Sequence, residues 1–180
     1  RSNKMIKVER NKNPRDFYNS SILLSHYIRE TITSGRSSVW IAQRNGRTKD
    51  GKDMTEQGLL KMFDMSAPSG DFVEDFNDLS IVPVSISYEY EPCDLLKTKE
   101  LYISRRRKYE KAPGEDLNSI LTGIMQFKGN IHVNFCDTIT REELTWCSNM
   151  EKNDRYKNLS EIIDRKIISS YKLSKNNYIA

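Results

Sequence analysis

Apolar positions fall in blocks whose spacing predicts secondary structure along most of the chain. A short strand is expected at Met5 to Glu9, followed by a turn at Asn13-Pro14. From Asp16 to about Ser34, Leu24, Tyr27, Ile28 and Ile32 recur at helical spacing, and Gly35 stands where a C-terminal cap belongs. Ser38 to Gln43 (Ser-Val-Trp-Ile-Ala-Gln) is a compact run of strand formers between two helical patterns, which predicts a buried parallel strand. Thr55, with Glu56 and Gln57, can cap a second helix whose apolar face is Leu59, Leu60 and Phe63. Ala67 to Asp78 reads as a loop with room for one helical turn. Leu79 to Tyr88 is uncharged and forms the strongest strand pattern, with Pro83 marking a bulge or a strand entry. Leu117, Ile120, Leu121, Ile124 and Met125 make a helical stripe that Gly129 ends. Asn130 to Cys136 alternates as a strand does, and Thr140 with Glu143 spells a capping box. A last helix is expected from about Leu159 to Tyr171, with Ile162, Ile163 and Ile167 turned inward. Strands and helices alternate in this order. The expected fold is therefore α/β, a mostly parallel sheet flanked by helices.

Composition narrows the class. A chain of 180 residues suits one domain. Hydrophobic residues make up 37% and mean hydropathy is −0.70, polar for a globule but too rich in Ile, Leu, Tyr and Phe for a disordered chain. The longest uncharged run, Phe17 to Ile28, has 12 residues, short of the roughly 18 apolar ones that a spanning helix needs. Arg1 to Arg10 lacks the apolar centre of a secretory leader. The chain begins on Arg, so its N-terminal part is expected to be missing. Cys93, Cys136 and Cys147 are odd in number and form no Cys-x-x-Cys pair, which fits a reducing, cytoplasmic compartment and offers no zinc site. The net charge of +4 is too small to argue for nucleic acid, and neither an aromatic RNA-binding signature nor a helix-turn-helix pattern accompanies it.

Two cationic segments are candidates for binding. Trp40 to Lys52 holds Arg44, Arg47, Lys49 and Lys52 against Asp50, with Gly46 and Gly51 permitting tight turns. A loop at the carboxyl end of a strand, ahead of a helix N-terminus, is suited to a phosphate. The same residues read equally well as a solvated turn. Lys97 to Lys111 carries seven cations and two anions, a local +5, centred on Arg105-Arg106-Arg107-Lys108 and flanked by Tyr102, Ile103 and Tyr109. That segment would suit an anionic membrane surface, the phosphates of an acyl carrier, or plain solvent. His26 reads as an ordinary helix-surface residue. Asp71, Glu74, Asp75 and Asp78 lack EF-hand spacing and read as a solvated acidic loop.

Four segments in order resemble motifs of the glycerolipid acyltransferase superfamily, typified by bacterial glycerol-3-phosphate acyltransferase. Met5-Ile6-Lys7-Val8-Glu9-Arg10 resembles the second motif, which closes on arginine. Val39 to Gly51 resembles the third, Ile81 to Glu89 the fourth with its early proline, and Ile131 to Ile139 the family's late strand. The resemblance implies a partial acyltransferase α/β domain over residues 1–148, with 149–180 as a C-terminal helical extension of the same domain. It implies O-acyl transfer from acyl-coenzyme A or acyl carrier protein to a glycerol phosphate-type acceptor in phospholipid biosynthesis. The enzyme would act in the cytoplasm, peripheral at the inner face of the membrane, with no metal or cofactor. Arg10, Asn45, Gly46, Arg47 and Lys49 would bind the acceptor, backed by Val82 to Val84. Asn45 stands where the family has glutamate, or alternatively Gln43 aligns with it. The family's first motif, His-x-x-x-x-Asp, supplies the general base and does not precede Met5 here, so no catalytic residue is assigned and this chain alone is expected to be inactive. The alternative is a non-catalytic module that binds phosphate or anionic lipid.

His132 and Asp137 match that missing spacing. The pair comes after the proline strand rather than first, and it lies in a strand pattern where positions five apart face opposite ways. It is read as a decoy.

Overall fold

The computed structural model describes residues 13–44 and 54–178, with Ile6 and Gly51. These residues form seven α-helices and one two-stranded antiparallel sheet, in place of the expected α/β fold with a mostly parallel sheet. Two of the four runs expected as strands, Met5–Glu9 and Ser38–Gln43, do not supply them among the described residues. Val39 to Ala42 is irregular, with Trp40 68% exposed, and the Met5–Glu9 strand lies outside the described residues except for Ile6, which is irregular too. Two strands remain, β1 (Val84–Tyr88) and β2 (Ile131–Phe135), and they pair antiparallel.

The chain divides into two compact units. The first holds the described residues up to 44, Met54–Val82 and Asp137–Asp164; the second holds Gly51, Pro83–Cys136 and residues 165–178.

The first unit is helical. Helix α1 (Pro14–Thr33) starts where Asn13 accepts the Asp16 N–H at 2.9 Å and proline occupies the first turn. Its buried face is Ser25, Ile28 and Arg29, one step away from the expected stripe, since Tyr27 is exposed. Helix α2 (Gln57–Asp64) buries Leu60 and Phe63. Thr55 does not cap it. The Thr55 N–H and hydroxyl both donate to Asp164 Oδ1, at 2.8 and 2.6 Å. Helix α3 (Phe72–Asn77) lies in the segment expected as a loop with room for one helical turn, and it takes in acids expected to be solvated. Asp71 caps it by accepting the Val73 and Glu74 N–H groups. Asp75 is buried, and Glu74 accepts from both terminal nitrogens of Arg141 on α6 (Arg141–Ser148). The Arg141 guanidinium holds the Glu74 carboxyl below its usual range, so the contact persists at neutral pH and fades as pH falls through that lowered range.

Helix α6 opens on the expected capping box, with Glu143 N–H donating to Thr140 Oγ1 and Thr140 N–H to Glu143 Oε2. It packs on α3, and α2 packs on α1. Helix α7 (Lys152–Ser169) begins earlier than its pattern predicts and divides between the units after Asp164. Its Tyr156, Leu159 and Ile163 join Phe72, Phe76, Leu79, Ile139, Leu144 and Cys147 among the buried side chains. Tyr156 donates to Asp64 Oδ2 at 2.5 Å, and burial together with that carboxylate raises its pKa. Burial also pushes the Cys147 thiol up to about 11, which keeps it protonated and unreactive at neutral pH.

In the second unit, Pro83 stands just before β1 and, having no N–H, needs no acceptor, while its carbonyl accepts the Cys136 N–H at 2.9 Å. The register sets Val84 opposite Phe135, Ile86 opposite Val133 and Tyr88 opposite Ile131, so these six side chains share one sheet face. That face is largely exposed. The other face carries Ser85, Ser87, His132 and Asn134 and is covered by the chain after α7, where Ser85 Oγ donates to Ser170 O and Lys172 N–H to Ser87 Oγ. Between the strands lie α4 (Asp94–Ser104) and α5 (Glu115–Met125). Gly129 does not cap α5, whose C-cap is Gln126. It lies two residues before β2 with φ +63°, and a Cβ there would come within 2.5 Å of Glu89 Oε2, so the position demands glycine twice over.

Candidate functional site

Helix α4 ends at Ser104, and its last turn runs straight into the cationic segment. Arg105 N–H donates to Leu101 O, and the Arg106 and Arg107 N–H groups both donate to Ile103 O. Arg105, Arg106, Arg107 and Lys108 are all exposed. Four cations at the negative end of a helix are favourably placed against its dipole. The Arg106 guanidinium lies 5.0 Å from the centre of the Tyr102 ring, a cation–π contact that holds one side chain beside an exposed aromatic.

The residues after the turn tie it to α5. Tyr109 donates to Glu115 Oε1 at 2.6 Å, and Lys111 Nζ lies 2.6 Å from Asp116 Oδ1. The carboxylate acceptor, and then desolvation, push the Tyr109 hydroxyl up to about 12. Glu115 is lowered in turn by that bond and by the Ala112 N–H at 3.0 Å. Both acids of the first turn of α5 are thus engaged locally, at the helix end where negative charge is stabilising.

Helix α5 presents its apolar side outward. Glu115, Ser119, Thr122 and Gly123 are the half-buried positions; Ser119 O accepts from Cys93 Sγ at 3.4 Å, and Gly123 lies against the same sulfur. Leu117, Ile120, Leu121, Ile124 and Met125 are exposed, Met125 by 80%, and Phe127 beyond the helix by 76%. The site is therefore a cationic turn beside an unpartnered apolar helix face. It can attract anions and take up apolar material, and it contains no paired nucleophile and base.

Of the acceptor-site residues expected from the sequence, Arg10, Asn45, Gly46, Arg47 and Lys49 lie outside the described residues. The loop's described flanks meet, with Glu56 N–H donating to Gln43 O at 2.9 Å. Val82 is exposed at the end of the first unit, and Val84 opens β1. His26 is exposed on α1, as expected. Among the described residues no group of His, Cys, Asp and Glu is arranged to hold a metal, and no helix is long and apolar enough to cross a membrane. Sequence reasoning missed the buried Arg29, which packs beside Ile28 on the inward face of α1; its place one residue from a core isoleucine was the available signal.

His132 lies within β2, opposite Ser87. A strand residue hydrogen-bonded into a ladder is poorly placed for a base that must turn towards an aspartate five positions on. If the acyl transfer that the resemblance implies is observed, His132→Ala in the full-length protein is expected to leave its kcat within a few-fold of wild type; a loss on the order of 10³ with folding intact would make His132 the base.

No family model, curated protein or solved structure matches this chain.

Proposed function

We propose that this chain belongs to an O-acyltransferase that moves a fatty acyl group from acyl-coenzyme A or acyl carrier protein to a glycerol phosphate-type acceptor in phospholipid biosynthesis. The observation that carries the reading is the order and spacing of four segments, from Met5–Arg10 to Ile131–Ile139. It takes nothing from the fold. Its supports are the sequence and the cationic turn, whose charge suits an enzyme working at an anionic membrane, peripheral to the cytoplasmic face. In this reading Arg47 grips the acceptor phosphate through paired hydrogen bonds, with Lys49 and Arg10 adding charge. The Asn45 amide hydrogen-bonds an acceptor hydroxyl, and Gly46 lets the backbone approach. Proton transfer is assigned to none of these residues.

The test is acyl transfer by the full-length protein with a glycerol phosphate acceptor. Arg47→Ala is expected to lower acceptor kcat/KM by about 2–4 kcal/mol in transition-state terms, as for the loss of a charged hydrogen-bond donor. An unchanged kcat/KM would remove Arg47 from the site. A second reading, a non-catalytic module for phosphate or anionic lipid, is favoured by the exposure of all four cations from Arg105 to Lys108. Vesicle binding without any acyl transfer by the full-length protein would select it.

A further inference from the structure

We propose that α5 is an interfacial anchor: its outward face, Leu117, Ile120, Leu121, Ile124 and Met125, enters an anionic bilayer while the Arg105–Lys108 turn meets the lipid phosphates. The inference rests on the membrane partner of the reading above and adds the element that inserts. Three observations select a bilayer as occupant. The first is geometric. The five apolar residues form one continuous stripe on an 11-residue helix, about 16 Å long, too short to cross a hydrocarbon layer of about 30 Å but suited to lying in its surface. The second is charge complementarity. The segment from Lys97 to Lys111 carries +5, and Arg105, Arg107 and Lys108 have no acidic partner among the described residues, which leaves them available to lipid phosphates. The third is the state of the acids. Glu115 and Asp116, which would oppose an anionic surface, are engaged by Tyr109 and Lys111. A second copy of this chain carries the same cationic turn and would bring like charge towards like.

Sedimentation of the full-length protein with vesicles tests the inference. Phosphatidylcholine vesicles with about a third phosphatidylglycerol are compared with phosphatidylcholine alone, at low salt and at about 1 M salt. Wild type is expected to prefer the anionic vesicles. Ile120→Glu with Ile124→Glu should lower that partition by about tenfold or more, and the fraction still bound at high salt should vanish. Both side chains are already solvent-exposed, so an unchanged circular dichroism spectrum is expected alongside. Gln at all four positions from Arg105 to Lys108 should abolish the preference for anionic lipid. In Ile124→Trp, emission from the introduced tryptophan should shift to the blue on binding and be quenched by lipids brominated on their acyl chains. Wild-type partition by the double Glu variant, equal binding to neutral vesicles, or an unquenched signal from the introduced tryptophan would each overturn the inference. A dimer present without lipid and dissolved by the double Glu variant would overturn it in favour of a second copy. Acyl transfer in detergent micelles, which needs no bilayer, separates the two proposals. Its absence with vesicle binding intact would remove the enzyme and leave the anchor, and its persistence with binding lost would do the reverse.

Discussion

Replacing Arg29 with alanine is expected to destabilise the first unit by about 3–5 kcal/mol, one of the two largest effects of any single substitution considered for this chain. Arg29 is only 7% exposed, yet it carries a permanent charge. It is tolerated because its guanidinium is spent on acceptors. Nη1 donates to Asp75 O at 2.7 Å, Nη2 to Phe63 O at 3.2 Å and Nε to Ser66 Oγ at 3.4 Å. Ser25 Oγ shares the site, 2.7 Å from Ser66 Oγ and donating to Phe63 O. One side chain of α1 therefore ties the ends of α2 and α3 together. Alanine would strip a charged donor from two buried carbonyls and leave a void. Arg29→Met, which refills the stem volume, should recover only the packing part of the loss. Urea unfolding followed by tryptophan fluorescence reads this unit, since Trp40 and Trp146 both lie in it. A midpoint within error of wild type would mean that the carbonyls find water instead, and Arg29 would not brace α2 and α3.

Phe76→Ala is expected to cost a similar amount, about 3–5 kcal/mol, for a different reason. The side chain is 1% exposed, and its ring centre lies 4.6 Å from that of Phe72. Phe72 in turn meets the edge of Tyr156 at 6.0 Å and lies beneath the Arg155 guanidinium. Helix α3 has six residues, too few to be stable alone, so its existence depends on this packing. The expected result is a lower urea midpoint together with accelerated amide exchange in α3. Phe76→Leu, closer in volume, should cost less than about 1.5 kcal/mol. Because Arg29 also holds α3, through Asp75 O, the double variant should depart from additivity by about 0.5 kcal/mol or more. Strict additivity would separate the two contacts and contradict the view that they brace one element.

Local signals were legible where they rest on neighbours in the chain. The Thr140–Glu143 capping box follows from side chains within a few residues of the backbone they satisfy, and the strand character of Ile131–Phe135 and of the residues after Pro83 follows from the local pattern. The cationic character of Lys97–Lys111 was equally plain, because charge is read by counting. Readings that needed a distant partner failed. Thr55 has the chemistry of a cap and spends it on Asp164, 109 positions away. The acids after Ser69 resemble a solvated loop until α3 forms around Asp75 and Arg141 reaches Glu74.

The amino-acid sequence by itself determined the capped start of α6 at Thr140, which runs were apolar, where positive charge gathers and the four-segment resemblance on which the functional proposal rests. Tertiary structure alone decided which apolar faces are covered. Periodicity marks a face as apolar without naming its partner, and burial is settled by whatever packs against it. The stripe on α1 is covered one step away from its predicted centre, whereas those of α5 and the sheet are left exposed. Strand direction was likewise beyond the pattern. A run such as Ile81–Tyr88 pairs in either sense, and hydrogen bonding to Ile131–Phe135 in reverse, from Val84 with Phe135 to Tyr88 with Ile131, made the sheet antiparallel.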